Sequence, residues 1–108
     1  MIDWGNHANN QKNVIEETID FDKAVGEALD FAKKDGNTLV IILADHESGG
    51  LTLTAGDLKT ATVKGEFSTF HHTSVPVPVY AFGPGAELFT GVYDNTKVFE
   101  KMMTLYGF

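Results

Sequence analysis

From about Asn13 to Lys34 the chain follows a helical period. Val14, Ile15, Thr18, Ile19, Asp22, Val25, Ala28, Leu29 and Ala32 recur mostly at three- and four-residue spacing, which predicts one long amphipathic helix. Glu16, Glu17 and Asp20 lie near its start and Lys33 and Lys34 near its end, as the helix dipole favours. Asp35-Gly36 supplies the stop. The period then changes. Thr38 to Leu43 is apolar without alternation, the mark of a strand covered on both faces, as in a parallel sheet. Leu51 to Thr54 and Ala61 to Phe70 are more polar and predict short strands or a loop excursion. Val77 to Phe82 is a second apolar strand whose prolines place it at an edge or a strand start. Gly83-Pro84-Gly85 breaks it. Asn95 is placed to cap a last helix from Thr96 to about Tyr106, with Val98, Met102 and Leu105 on its inner face. Helix, buried strand, excursion, strand and helix make an α/β chain, and with no repeat or linker it reads as one piece over 1–108.

Composition narrows the function. The 108 residues suit one domain with a modest core. A net charge of −7 argues against a nucleic-acid binder, and no apolar run is long enough to span a bilayer. The chain has no cysteine, so any metal must be held by His and carboxylate alone.

Three fragments offer that chemistry. Leu39 to Ala44 stops on Asp45-His46, followed by Glu47-Ser48-Gly49-Gly50, and the carboxyl end of a buried strand is where α/β sheets bind ligands. Asp3 and His7 are four residues apart, so one helical turn points both the same way. His71-His72-Thr73 brings further imidazoles, one of the pair being expected in solvent. Asp3, His7 and His72 would form a three-ligand set with an open position, the arrangement of a catalytic zinc.

The runs Ile2-Asp3-Trp4-Gly5-Asn6-His7-Ala8-Asn9-Asn10, Ala44-Asp45-His46-Glu47-Ser48-Gly49-Gly50-Leu51 and His72-Thr73 with Val79-Tyr80-Ala81-Phe82-Gly83-Pro84-Gly85-Ala86, in this order and with the long helix between, resemble the alkaline phosphatases. The resemblance implies a partial form of that family's three-layer α/β sandwich, with a buried parallel strand. It also implies a site of two zinc ions with a magnesium nearby, acting on phosphate monoesters. Asp3, His7 and His72 resemble the ligands of the zinc that binds a phosphate oxygen and activates the hydrolytic water. Asp45 and His46 resemble two ligands of the zinc that activates a serine nucleophile. A charged centre at both the attacking and the leaving oxygen is what an in-line displacement needs.

The family's serine nucleophile, the aspartate completing the second zinc site, the phosphate-clamping arginine and the magnesium-binding glutamate have no counterpart among these residues. Ser48 matches a position in the ligand loop, and Ser68 and Ser74 lack a nucleophile's surroundings. The chain is therefore expected to be a C-terminal portion, inactive alone, that associates through unpaired strand edges into dimers or domain-swapped forms. The family resemblance implies an exported, periplasmic or extracytoplasmic protein. Two other functions fit the residues: a phosphodiesterase or sulfatase-like hydrolase sharing the metal scaffold, and a non-catalytic metal-binding or interaction module.

Overall fold

The structure is a computed structural model describing residues 1–108. In chain order it comprises helix α1 (Ile2–His7), helix α2 (Gln11–Asp35), strands β1 (Val40–Leu43), β2 (Glu47–Ser48), β3 (Thr52–Asp57), β4 (Thr62–Glu66), β5 (His72–Thr73) and β6 (Val79–Phe82), a 3-10 turn (Ala86–Phe89) and helix α3 (Thr96–Tyr106). Helix and strand are mixed throughout, as an α/β chain requires. The residues form two compact units, one of 1–22 with 46–76 and the other of 23–45 with 77–108.

In the first unit, α2 starts two residues before the apolar period does. Asn10 explains this: its side-chain oxygen accepts the backbone N–H of Asn13 at 3.1 Å, and its carbonyl accepts that of Val14 at 3.1 Å. The polar stretch after residue 50 is a hairpin in which β3 pairs antiparallel with β4, with an irregularity between Leu53 and Ala55. Gln11 fastens the hairpin: its amide nitrogen donates to the Val63 carbonyl at 2.8 Å, and its amide oxygen accepts Gly65 N–H at 2.9 Å. A side-chain amide thus supplies the donor and acceptor that a neighbouring strand would offer. The remaining sheet of this unit, β2 with β5, carries the candidate site.

In the second unit, α2 ends as its sequence predicts. Gly36 follows with φ +72° and donates to the Ala32 carbonyl at 2.9 Å. Strand β1 departs from expectation. It pairs antiparallel with β6, from Val40 opposite Phe82 to Leu43 opposite Val79, and its residues are half-buried or exposed. An uninterrupted apolar run reports a strand's capacity for burial on both faces and carries no information on the direction of its partner. Gly83 ends β6 at φ +109°, and a Cβ there would stand 2.2 Å from the Thr38 carbonyl oxygen, so only glycine fits.

Helix α3 has the predicted bounds but a different cap. Asn95 makes no side-chain capping bond; Asp94 Oδ1 instead accepts the Thr96 N–H at 3.0 Å and the Thr96 hydroxyl at 2.7 Å. Asp-x-Thr competes with Asn for the same start, and the charged oxygen makes the stronger acceptor. These two bonds hold the Asp94 carboxyl below the usual carboxylate range. A depressed folded value means that the unfolded chain takes up the proton first. The stabilisation is therefore present above the ordinary aspartate value and is lost as pH falls through the folded one. Asp94→Ala is accordingly expected to lower the urea midpoint at pH 7, with the difference from wild type closing in strong acid. Circular dichroism during urea titration at both pH values checks this.

The core is thin. Val14, Ala32 and Phe89 are its buried apolar residues, while Leu58, Val92, Tyr106, Trp4 and Phe31 stand largely exposed. Two-stranded sheets have too few neighbours to cover both faces of their apolar strands.

Candidate metal centre

The site lies within the first unit and is built by three local devices. Helix α1 supplies the first: Asp3 and His7 stand one turn apart on one face, with Asp3 Oδ1 3.6 Å from His7 Nε2. Period-two alternation supplies the second. His46 and Ser48 are two residues apart at β2, and Ser48 lies directly opposite His72 on β5, so all three share a face. Glu47 and Thr73, the other cross-strand pair, take the opposite face. There the Thr73 hydroxyl donates to Glu47 Oε2, and Gly50 N–H donates to Glu47 Oε1 at 2.8 Å.

The third device is the turn at Gly49, where φ is +84°. Its N–H donates to the His71 carbonyl at 3.0 Å, and its carbonyl accepts Ser68 N–H and Thr69 N–H at 3.0 and 3.2 Å. A Cβ at Gly49 would lie 2.9 Å from the Phe67 ring and 3.1 Å from the Asn6 carbonyl oxygen. Glycine therefore lets the segment leading to His72 close against α1.

The side chains converge. His7 Nε2 is 3.1 Å from His72 Nε2, and the His46 and His72 rings stack with centroids 3.5 Å apart. Ligand atoms of Asp3, His46 and His72 all lie within 4.8 Å of one another. His7 Nδ1 stands 2.8 Å from the Phe70 carbonyl oxygen, which can only accept, so that nitrogen carries a proton, and in the neutral ring Nε2 carries the lone pair. The Ser48 hydroxyl donates to Asp3 Oδ1 at 2.8 Å. That bond is the main cause of an Asp3 carboxyl held below the usual range; partial burial opposes it, and His7, His46 and His72 add to it.

The donor set fits a divalent metal. Tetrahedral zinc with bonds of about 2.0–2.1 Å separates neighbouring ligand atoms by about 3.3 Å. The 3.1 Å and 3.6 Å spacings around His7 Nε2 bracket that value.

Of the residues singled out in the sequence, Asp3, His7, His72 and His46 are brought together. His46 stacks directly on His72, closer to the Asp3 group than a division into two ligand sets conveys. Asp45 lies in the exposed link between β1 and β2, in the other compact unit. His71 and His72 are both exposed, and it is the His72 ring that joins the cluster, which leaves His71 as the member of the pair outside it. Sequence reasoning passed over Ser48 as a partner of Asp3 and His46. The signal was its two-residue spacing from His46, which means a shared face only once residues 47–48 are known to be a strand.

Comparison with known proteins follows the same lines. The alkaline phosphatase family model matches residues 1–66. The chain is 37% identical to the alkaline phosphatase of Escherichia fergusonii over 98% of its own length and 26% of that protein's. The structure of alkaline phosphatase from the Antarctic bacterium TAB5 superposes with a TM-score of 0.87 at 50% identity, covering 95% of this chain and 32% of that one. A variant of the TAB5 enzyme, described with magnesium bound in its M3 site, superposes at 0.88 with 47% identity. The chain thus spans about a quarter of the length of the curated relatives it matches.

Proposed function

Because the chain belongs to the alkaline phosphatase family, we propose that it is the C-terminal portion of a metal-dependent phosphomonoesterase, carrying most of that enzyme's zinc ligands. The observation that supports this best is the convergence of Asp3, His7 and His72 at the spacing of neighbouring zinc ligands. In this reading those three hold one zinc, and His46 contributes to a second. Nitrogen and carboxylate donors without thiolate suit zinc, and the magnesium described in the TAB5 variant supports a further ion beside it. When bound, zinc supplies positive charge toward the phosphoryl oxygens of a monoester.

The chain's own part is preorganisation. Ser48 favours and orients the Asp3 carboxylate by donating to it, and the Phe70 carbonyl turns Nε2 of His7 toward His72. Ser48 is not the nucleophile in this reading. It is buried, away from any approaching phosphate, and its hydroxyl is committed to a hydrogen bond donated to Asp3. Calorimetric titration with zinc tests the ligand assignment: wild-type chain that binds none would overturn it.

The exposed apolar side chains and two-stranded sheets also support self-association of the chain, as a dimer or a domain-swapped form. Sedimentation at micromolar concentration is expected to show a mass above that of the monomer. A monomer across the whole range would refute it.

A further inference from the structure

We propose that Ser48 is a positioning residue that selects the tautomer of His46 and thereby the ring nitrogen that His46 offers to a metal. The inference rests on the metal-centre reading above for the role of His46 as a ligand. It adds the device that prepares that ligand.

The argument is one of proton counting. Ser48 is the buried polar residue of the structure, 6% exposed, and its hydroxyl lies between two polar groups. Asp3 Oδ1 is 2.8 Å from Ser48 Oγ, and His46 Nδ1 is 3.2 Å from it. A hydroxyl has one proton and two lone pairs, while an ionised carboxylate only accepts. The Ser48 proton therefore goes to Asp3, and a lone pair of Ser48 Oγ is left facing His46 Nδ1. That contact is favourable only when Nδ1 carries a proton, and in a neutral imidazole this leaves the lone pair on Nε2.

The chain of donors runs one way, from His46 Nδ1–H to Ser48 Oγ and from Ser48 O–H to Asp3 Oδ1. His7 is fixed in the same tautomer by a different acceptor, the Phe70 carbonyl. Two imidazoles of the cluster are then set as Nδ1–H rings, one by backbone and one by a hydroxyl that also orients Asp3. Removing Ser48 Oγ would take this acceptor from His46 Nδ1 and this donor from Asp3, while taking only one atom from the packing.

Long-range proton–nitrogen NMR of the metal-free 108-residue chain at alkaline pH reads the tautomer directly. Wild type is expected to show the Nδ1–H pattern at His46, and Ser48→Thr, which keeps the hydroxyl, is expected to retain it. Ser48→Ala is expected to shift the ring toward a mixture of tautomers and to lower zinc affinity by about tenfold or more, the usual effect of losing a residue that orients a ligand. An Nε2–H ring in wild type overturns the proposal without recourse to any variant. So does a Ser48→Ala chain whose His46 pattern is unchanged, whatever its zinc affinity. The tautomer is read without metal, so a wild-type chain that fails to bind zinc refutes the ligand assignment alone.

Discussion

Given zinc, magnesium and a phosphate monoester, the 108-residue chain is expected to release phosphate no faster than buffer. Phosphoryl transfer needs a placed nucleophile and positive charge around the equatorial oxygens. The chain has three serines. Ser48 is buried and donates to Asp3, Ser68 packs against Gly50, and Ser74 follows β5 in an exposed stretch. All eight cationic side chains are lysines, so there is no arginine fork to clamp a phosphate. Losing an activated nucleophile costs on the order of a millionfold in kcat in a well-studied hydrolase, which puts the chain's rate below detection in an ordinary colorimetric assay. Hydrolysis of p-nitrophenyl phosphate with and without chelator makes the measurement. Chelator-sensitive turnover at the rate of an intact enzyme would mean that these residues contain a nucleophile after all.

How far the sequence reaches differs from element to element, for physical reasons. Helix α3 was legible to its exact bounds because its signals are local: a polar start, a periodic face and a glycine beyond. Its cap was not, because Asp94 and Asn95 are both good caps and geometry chooses between them. The lower bound of α2 was missed because Asn10 reaches into the first turn from outside the apolar period. Pairing of β1 with β6 is a long-range choice that an apolar run does not encode. At the site, the i, i+4 spacing of Asp3 and His7 announced a shared helical face. His72 was legible as a candidate ligand from its chemistry and the resemblance, but its place was not, since it depends on a two-residue strand pair and on the turn at Gly49. Ser48 was hidden for the same reason. A serine two residues from a histidine is unremarkable until a strand puts both on one face.

The same geometry singles out His72 as the residue whose loss should most weaken metal binding. It is the hub of the cluster: 3.1 Å from His7 Nε2, stacked on His46, and grouped with Asp3 and His46 in a potential ligand triad. Removing a residue that merely orients a ligand costs about 10–100-fold in affinity, so removing a ligand from a three-residue set is expected to cost His72→Ala at least about 100-fold for zinc. The substitution should leave the fold in place. His72 is exposed, and β5 is held to β2 by backbone pairing and by the Thr73 and Glu47 side chains on the other face. His71→Ala supplies the control, since it removes an adjacent imidazole that is exposed to solvent, and it is expected to leave the affinity unchanged. Calorimetric zinc titrations of the three chains separate the possibilities. Equal losses in both variants would point to a non-specific histidine effect, and an unchanged affinity in His72→Ala would remove His72 from the ligand set. A loss confined to His72→Ala would tie zinc to the face that α1, β2 and β5 build together.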